Sequence, residues 1–157
     1  MGIKSFQGKF EKSGKKLPDD IKVCDHMKRD LITFHPEQTV PEVINVLISN
    51  KISGGPVVND KNELVGVISE GDCIKQIAYG QYYNMPIEDI KVADCMVKEV
   101  EIIDGNVSVF EAANKFLTAK RRRFPIVEDK KLVGMISQKD ILKAALQLNA
   151  QTWNNKK

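Results

Sequence analysis

Cysteine and histidine are scarce in this sequence. Its 157 residues hold three cysteines, Cys24, Cys73 and Cys95, and two histidines, His26 and His35. The cysteines form no C-x-x-C pair and stand too far apart along the chain for a zinc framework. Cys73 falls on the apolar side of an expected helix, where a buried free thiol is the simplest role, and all three suit a reducing compartment. No run approaches the roughly 18 consecutive apolar residues of a membrane span. The opening MGIKSFQGKFEKSGKKLPDD has no signal-peptide core, and Lys4-Ser5-Phe6 after Gly2 is a poor myristoylation context. A cytoplasmic location is expected. The net charge of +3 is too small to imply a polyanionic partner by itself. There is no Walker loop or G-x-G-x-x-G fingerprint, no pair of carboxylates at acid/base spacing, and no Ser-His-Asp or Cys-His set. The expectation is a binder rather than an enzyme.

What the sequence does have is a long-period repeat. GPVVNDKNELVGVISEGD runs from Gly55 to Asp72, and FPIVEDKKLVGMISQKD from Phe124 to Asp140. Pro56 and Pro125 are 69 residues apart, Gly66 and Gly134 are 68 apart, and the turn of the second copy is one residue shorter. Upstream, Asp25 and Met27 match Asp94 and Met96, and Thr39 and Glu42 match Ser108 and Glu111. Two copies point to a pseudo-symmetric pair rather than a solenoid. The chain divides into an arm (1–20), a first repeat (21–80), a linker (81–91), a second repeat (92–148) and a polar tail (149–157) around Trp153. A half of this size is marginal alone, so the two are expected to share a core.

Within each repeat the pattern predicts strand, helix, strand, strand, helix. Leu31 to Phe34 reads as a short strand ended by Pro36. Thr39-Val40-Pro41-Glu42 has the form of a capping box, and proline is tolerated in a first helical turn. Val40, Val43, Ile44, Leu47 and Ile48 then recur at helical spacing. Ser108 to Glu111, followed by Ala112, Ala113, Phe116 and Leu117, repeats the signal. Pro56–Val58 and Leu64–Ile68 flank the turn Asp60-Lys61-Asn62 as a hairpin. A closing helix from about Gly71 to Tyr79 is expected to bury Cys73, Ile74, Ile77 and Ala78, with Gly80 as its breaker. The corresponding helix of the second copy runs from Ile141 to about Leu148.

These residues resemble the tandem cystathionine β-synthase-type (CBS) domain pair, or Bateman module, over about Lys22 to Leu148. The resemblance rests on GVISEGD and GMISQKD, on the proline-containing strand before each, and on the DHM and DCM openings. It implies an α+β fold of two pseudo-symmetric β-α-β-β-α repeats packed sheet to sheet. It also implies clefts for adenosyl compounds such as AMP, ADP, ATP or S-adenosylmethionine, association of modules into a disc, and control of a partner protein that this chain does not identify. No other cofactor is required.

The candidate site residues have a purely structural explanation beside the functional one. Ser69 with Asp72, and Ser137 with Asp140, fit helix caps worth about 1–2 kcal/mol. A carboxylate in that turn can also accept hydrogen bonds from both hydroxyls of a ribose, and the resemblance gives Asp72 and Asp140 that role. Arg121, Arg122 and Arg123 fit a solvated surface run, with Arg121 and Arg123 on one side of a strand and Arg122 on the other. At a cleft mouth they would grip phosphates. The resemblance gives this task to Arg122 and Arg123, for a nucleotide whose ribose is held by Asp72. The equivalent stretch of the first copy, Ile52-Ser53-Gly54-Gly55, is uncharged. Its glycines leave room for close backbone approach to a ligand, so Ile52 and Ser53 are expected to line the Asp140 cleft and to suit adenosine better than a triphosphate. Two alternatives stand beside ligand sensing: a dimerisation module with empty clefts, and nucleic-acid binding through Arg121–Arg123. The latter lacks a basic reading helix or an aromatic platform.

Overall fold

The computed structural model describes residues 21–154, with side chains through residue 148. The arm expected over residues 1–20 and the side chain of Trp153 lie outside the described residues. The elements are α1 (Val23–His26), α2 (Val40–Asn50), β1 (Gly54–Val58), β2 (Leu64–Ser69), α3 (Glu70–Tyr83), α4 (Val92–Cys95), α5 (Val109–Ala119), β3 (Arg123–Glu128), β4 (Lys131–Ser137) and α6 (Gln138–Asn154). A single 3₁₀ turn, Ile87–Asp89, precedes α4.

Each repeat builds one antiparallel hairpin, β1–β2 and β3–β4. The strand expected upstream is reduced to one parallel bridge in each copy, Phe34 to Val57 and Ile103 to Ile126. Phe34 donates to the Pro56 carbonyl at 2.9 Å and its own carbonyl accepts from Val58 at 2.8 Å. Leu31 and Ile32, expected in that strand, lie outside the bridge and line a cavity. The two hairpins meet at their turns, where Leu64 N donates to Lys130 O at 3.2 Å and Leu132 N to Asn62 O at 3.0 Å. The shorter second turn places Asp129 and Lys130 at φ of 47° and 67°. Two successive left-handed residues suit a two-residue hairpin connection, which accounts for the missing residue.

Helices α2 and α5 begin where the caps predict. Thr39 N donates to Glu42 Oε2 at 2.8 Å, and Ser108 Oγ accepts from Glu111 N at 3.1 Å. Helix α3 departs from expectation. It passes through Gly80 and ends at Asn84, which takes the left-handed conformation at φ 54°. Gly80 is there for packing: a Cβ would lie 2.9 Å from the Met85 carbonyl and 3.0 Å from Ile87 Cγ2 as the chain returns over the helix. Of the α3 residues expected inside, only Cys73 is buried, while Ile74, Ile77 and Ala78 are exposed. Likewise α6 begins three residues before Ile141 and continues past Leu148 to Asn154.

The core is exchanged between repeats. Val23 and Met27 of the first copy pack with Ile103, Phe116, Phe124, Ile126 and Ile136 of the second. Val92, Cys95 and Met96 of the second pack with Phe34, Val40, Leu47, Val57 and Ile68 of the first. Paired backbone bonds hold each crossover: Lys28 N to Met135 O at 2.8 Å and Met135 N to Lys28 O at 2.9 Å, with Val67 N to Val97 O at 3.0 Å and Val97 N to Val67 O at 2.9 Å. The DHM and DCM openings are therefore latches. Met27 lies where a Gly134 Cβ would be, 2.5 Å from Sδ, and Met96 does the same at Gly66, 2.6 Å from Sδ.

Candidate functional site

The exchange brings the two repeats' candidate residues into shared clefts. The first, a cavity of about 300 Å³, is lined by Ser69 and Asp72 from β2–α3, by Ser53 and Gly54 at the start of β1, and by Arg121, Arg122 and Arg123 at the start of β3. Ser137, Asp140 and Ile52 meet in a second cavity of about 220 Å³. Ser53 was expected beside Ile52 in the Asp140 cleft, but it faces the Asp72 cleft instead. The glycines line both cavities, and they are also required for packing. A Cβ at Gly54 would sit 2.6 Å from the Ile68 carbonyl, and one at Gly55 3.0 Å from both the Ile32 carbonyl and the Phe34 ring. On their side-chain side, therefore, the neighbouring backbone and the Phe34 ring pack against them.

Each aspartate caps its helix through one oxygen. Asp72 Oδ2 accepts from Ser69 N at 2.8 Å and Ser69 Oγ at 2.9 Å. Asp140 Oδ2 accepts from Ser137 N at 2.8 Å and Ser137 Oγ at 2.7 Å. In both, Oδ1 receives no hydrogen bond from the described residues, so a carboxylate that already caps a helix still has a lone-pair face for a donor. Capping and ligand binding are thus compatible uses of one side chain.

The arginines are held by their backbone. Gln138 N donates to the Arg122 carbonyl and Gln138 Nε2 to the Arg121 carbonyl, each at 3.1 Å. The same contact in the first repeat is Glu70 N to Ser53 O at 2.9 Å. Arg121 and Arg122 precede β3, so strand alternation does not part them, and all three line the first cavity. Arg121 Nη2 pairs with Glu101 Oε1 at 3.4 Å, both side chains being about half exposed. Such a pair is worth about 0–1 kcal/mol. Arg122 and Arg123 form no ion pair among the described residues.

Sequence reasoning missed the segment after each latch. Val97, Glu99, Val100 and Glu101 line the first cavity, and Lys28 and Leu31 the second. Cys73 and Cys95 are free thiols, Cys73 in the core cluster of the first hairpin and Cys95 packed against it. Burial pushes the Cys95 thiol up to about 11, with Cys73, Asp72 and Asp94 adding to the rise. Burial, then Asp72 and Glu70, raises Cys73 as well. Both stay protonated near neutral pH and are poor nucleophiles. No group of metal-binding side chains occurs among the described residues, and no described helix is long and apolar enough to cross a membrane.

Two sheet-bearing halves that trade their first segments and enclose a pair of clefts define a class of small tandem-repeat module. A sequence model described as the CBS domain matches residues 21–79 and 92–147. The chain belongs to the CBS domain family, as a tandem pair. It is 38% identical over 118 residues to an inosine-5'-monophosphate dehydrogenase of Methanocaldococcus jannaschii, a match that takes in 73% of this chain and 22% of that enzyme. It is 28% identical over 145 residues to the chloroplastic CBS domain-containing protein CBSX1 of Arabidopsis thaliana, covering 77% of this chain and 61% of that protein. The chain thus spans about a fifth of the first relative's length and less than two thirds of the second's. Among solved structures it resembles CBSX2 of Arabidopsis thaliana in complex with AMP, with a TM-score of 0.72 at 28% identity over 82% of this chain and 98% of that one. The CBS domain pair of protein MJ0100, solved with 5'-methylthioadenosine and S-adenosyl-L-methionine, shares the fold with a TM-score of 0.65 at 24% identity, over 79% of this chain and 98% of that one.

Proposed function

We propose that this module senses an adenosyl nucleotide, with its ribose on Asp72 and its phosphate on Arg122 and Arg123, and passes the bound state to a partner protein. One observation carries the reading. A helix-capping carboxylate of one repeat and an arginine run of the other converge on a single cavity, although 121 − 72 = 49 residues separate Asp72 from Arg121. The AMP complex of the CBSX2 relative supports the same ligand class. Asp140 offers a second, smaller cleft for the same chemistry. The role we infer is regulatory, in the cytoplasm.

A screen of AMP, ADP, ATP, adenosine and S-adenosylmethionine by thermal shift and calorimetry tests this, since a ligand at 100 times its dissociation constant stabilises the native state by about 2.7 kcal/mol. Asp72→Asn keeps the shape and a capping-competent side chain but removes the charge. It is expected to weaken AMP by roughly 1.5–3 kcal/mol while changing stability by under ~1 kcal/mol. Arg122→Ala is expected to weaken AMP far more than adenosine. If neither variant changes nucleotide affinity, the carboxylate is only a cap and the arginines only a solvated run. If the chain instead binds nucleic acid with steep salt dependence and ignores nucleotides, the arginine run serves that partner.

A second reading, in which modules pair, has its own support. Ile48, Ile74, Leu117, Leu142 and Leu146 are 64–78% exposed on the helices of the two repeats. Such apolar side chains on helix surfaces can meet the same patch of a second copy in an isologous contact. A homodimer is expected: light scattering at tens of micromolar should give twice 17.7 kDa, and a monomer mass with and without nucleotide would sink it.

A further inference from the structure

The two cavities are separated by a thin shared wall. Gly54, Gly55, Arg123 and Met135 line both of them. Gly54 and Arg123 are pseudo-symmetric partners, 69 residues apart, and each begins a strand by pairing with the serine of its own S-x-x-D element, Ser69 or Ser137. A true twofold would put an arginine at both places. Position 54 cannot hold one, because a Cβ there would press to 2.6 Å on the Ile68 backbone carbonyl. The wall therefore carries one guanidinium for two clefts. The other cations are private: Arg121 and Arg122 line only the first cavity, and Lys28 only the second.

Resting on the adenosyl-nucleotide reading above, we infer that the two clefts compete for Arg123, so that a phosphorylated ligand in one weakens a phosphorylated ligand in the other. The second cleft is also more than an adenosine pocket. With Asp140 for a diol, and Lys28 and Arg123 for an anion, it takes an adenosyl ligand bearing a single anionic group. The first cleft keeps two arginines of its own, whereas the second keeps one lysine. A guanidinium is planar, and its bidentate fork matches a single phosphate, so two phosphates on opposite sides of the wall cannot both take that fork. When both clefts fill with phosphorylated ligand, one of the two goes without Arg123. The coupling must be equal in both directions, as any linkage between two binding equilibria is. Adenosine, which asks nothing of Arg123, should bind the clefts independently.

Calorimetry with AMP and with adenosine tests this on the full chain. Asp72→Asn weakens the first cleft and Asp140→Asn the second, so each remaining cleft is measured nearly alone. The expected result is that the second AMP bound by the wild type is about tenfold weaker than the same cleft measured alone, the loss of one charged contact. Adenosine should show no such difference. Arg123→Gln should abolish the difference for AMP, and Lys28→Met should weaken AMP only in the cleft left by Asp72→Asn. Independent AMP binding in the wild type, coupling that adenosine shares, coupling that survives Arg123→Gln, or AMP in one cleft only would each overturn the inference while leaving the adenosyl reading in place. Failure of the wild type to bind AMP or adenosine, in protein that still melts cooperatively, would overturn both.

Discussion

Phe124→Ala is expected to destabilise the protein by about 3–5 kcal/mol, the range for a buried aromatic cut to a methyl group. Phe124 is fully buried, its ring 4.8 Å from that of Phe116, with Lys115 Nζ 5.1 Å above it. The other repeat shows how the same space is filled without a ring at this position. There the equivalent position is Gly55, and the ring comes from Phe34 on the incoming segment, 3.0 Å from where a Gly55 Cβ would stand. In the second repeat the incoming residue is Ile103. The two halves thus solve one packing problem in opposite ways, Phe34 over Gly55 and Ile103 beside Phe124. Ile103 is too short to reach into the space left by Phe124. Urea unfolding should show the loss as a lowered midpoint at an unchanged slope. A cost below about 1 kcal/mol would mean that the second core collapses onto the gap, contrary to this account.

Much of this was legible before the fold was known. The 3.6-residue spacing of Val40, Val43 and Leu47, and of Val109, Ala112 and Phe116, marked α2 and α5, and those residues are buried. The prolines and turn residues marked the hairpins. The resemblance coupled Arg122 and Arg123 to Asp72, and these residues line one cavity, with Arg121 beside them. What was illegible has one main physical cause. In a pseudo-symmetric pair, a segment can dock on its own repeat or on its twin with nearly the same contacts, and periodicity does not distinguish the two. Hence Lys28, Glu99 and Glu101, whose positions depend on the crossover, were missed, and Ser53 was assigned to the wrong cleft. The errors in α3 have a second cause. Helical spacing marks Ile74 and Ile77 as apolar but does not say whether the apolar face meets this chain or another one, and here they are exposed. Gly80 looked like a breaker because a glycine needed for close approach and one needed for a left-handed turn are the same letter.

The crossover itself can be tested by a pair of substitutions that should compensate. Met27→Ala removes a buried side chain that joins the first segment to the second repeat's core, and is expected to cost about 2–5 kcal/mol. Gly134→Ala alone should also destabilise, by about 1–3 kcal/mol, because its Cβ would meet Met27 Sδ at 2.5 Å and Cγ at 2.9 Å, with the Lys28 carbonyl at 3.1 Å. The backbone raises no objection, since no glycine among the described residues has a positive φ. In the double variant the truncated Met27 no longer reaches the new methyl group, and only the tighter approach to the Lys28 carbonyl remains. Met27→Ala with Gly134→Ala should therefore cost clearly less than the two single losses added together. A favourable interaction of about 1 kcal/mol or more in the double-mutant cycle is the expected signature of direct contact. Residues 27 and 134 lie in different repeats, so this coupling arises only if the first segment docks on the second hairpin. Additive losses, measured by urea unfolding of all four proteins, would place Met27 elsewhere and overturn the exchanged core.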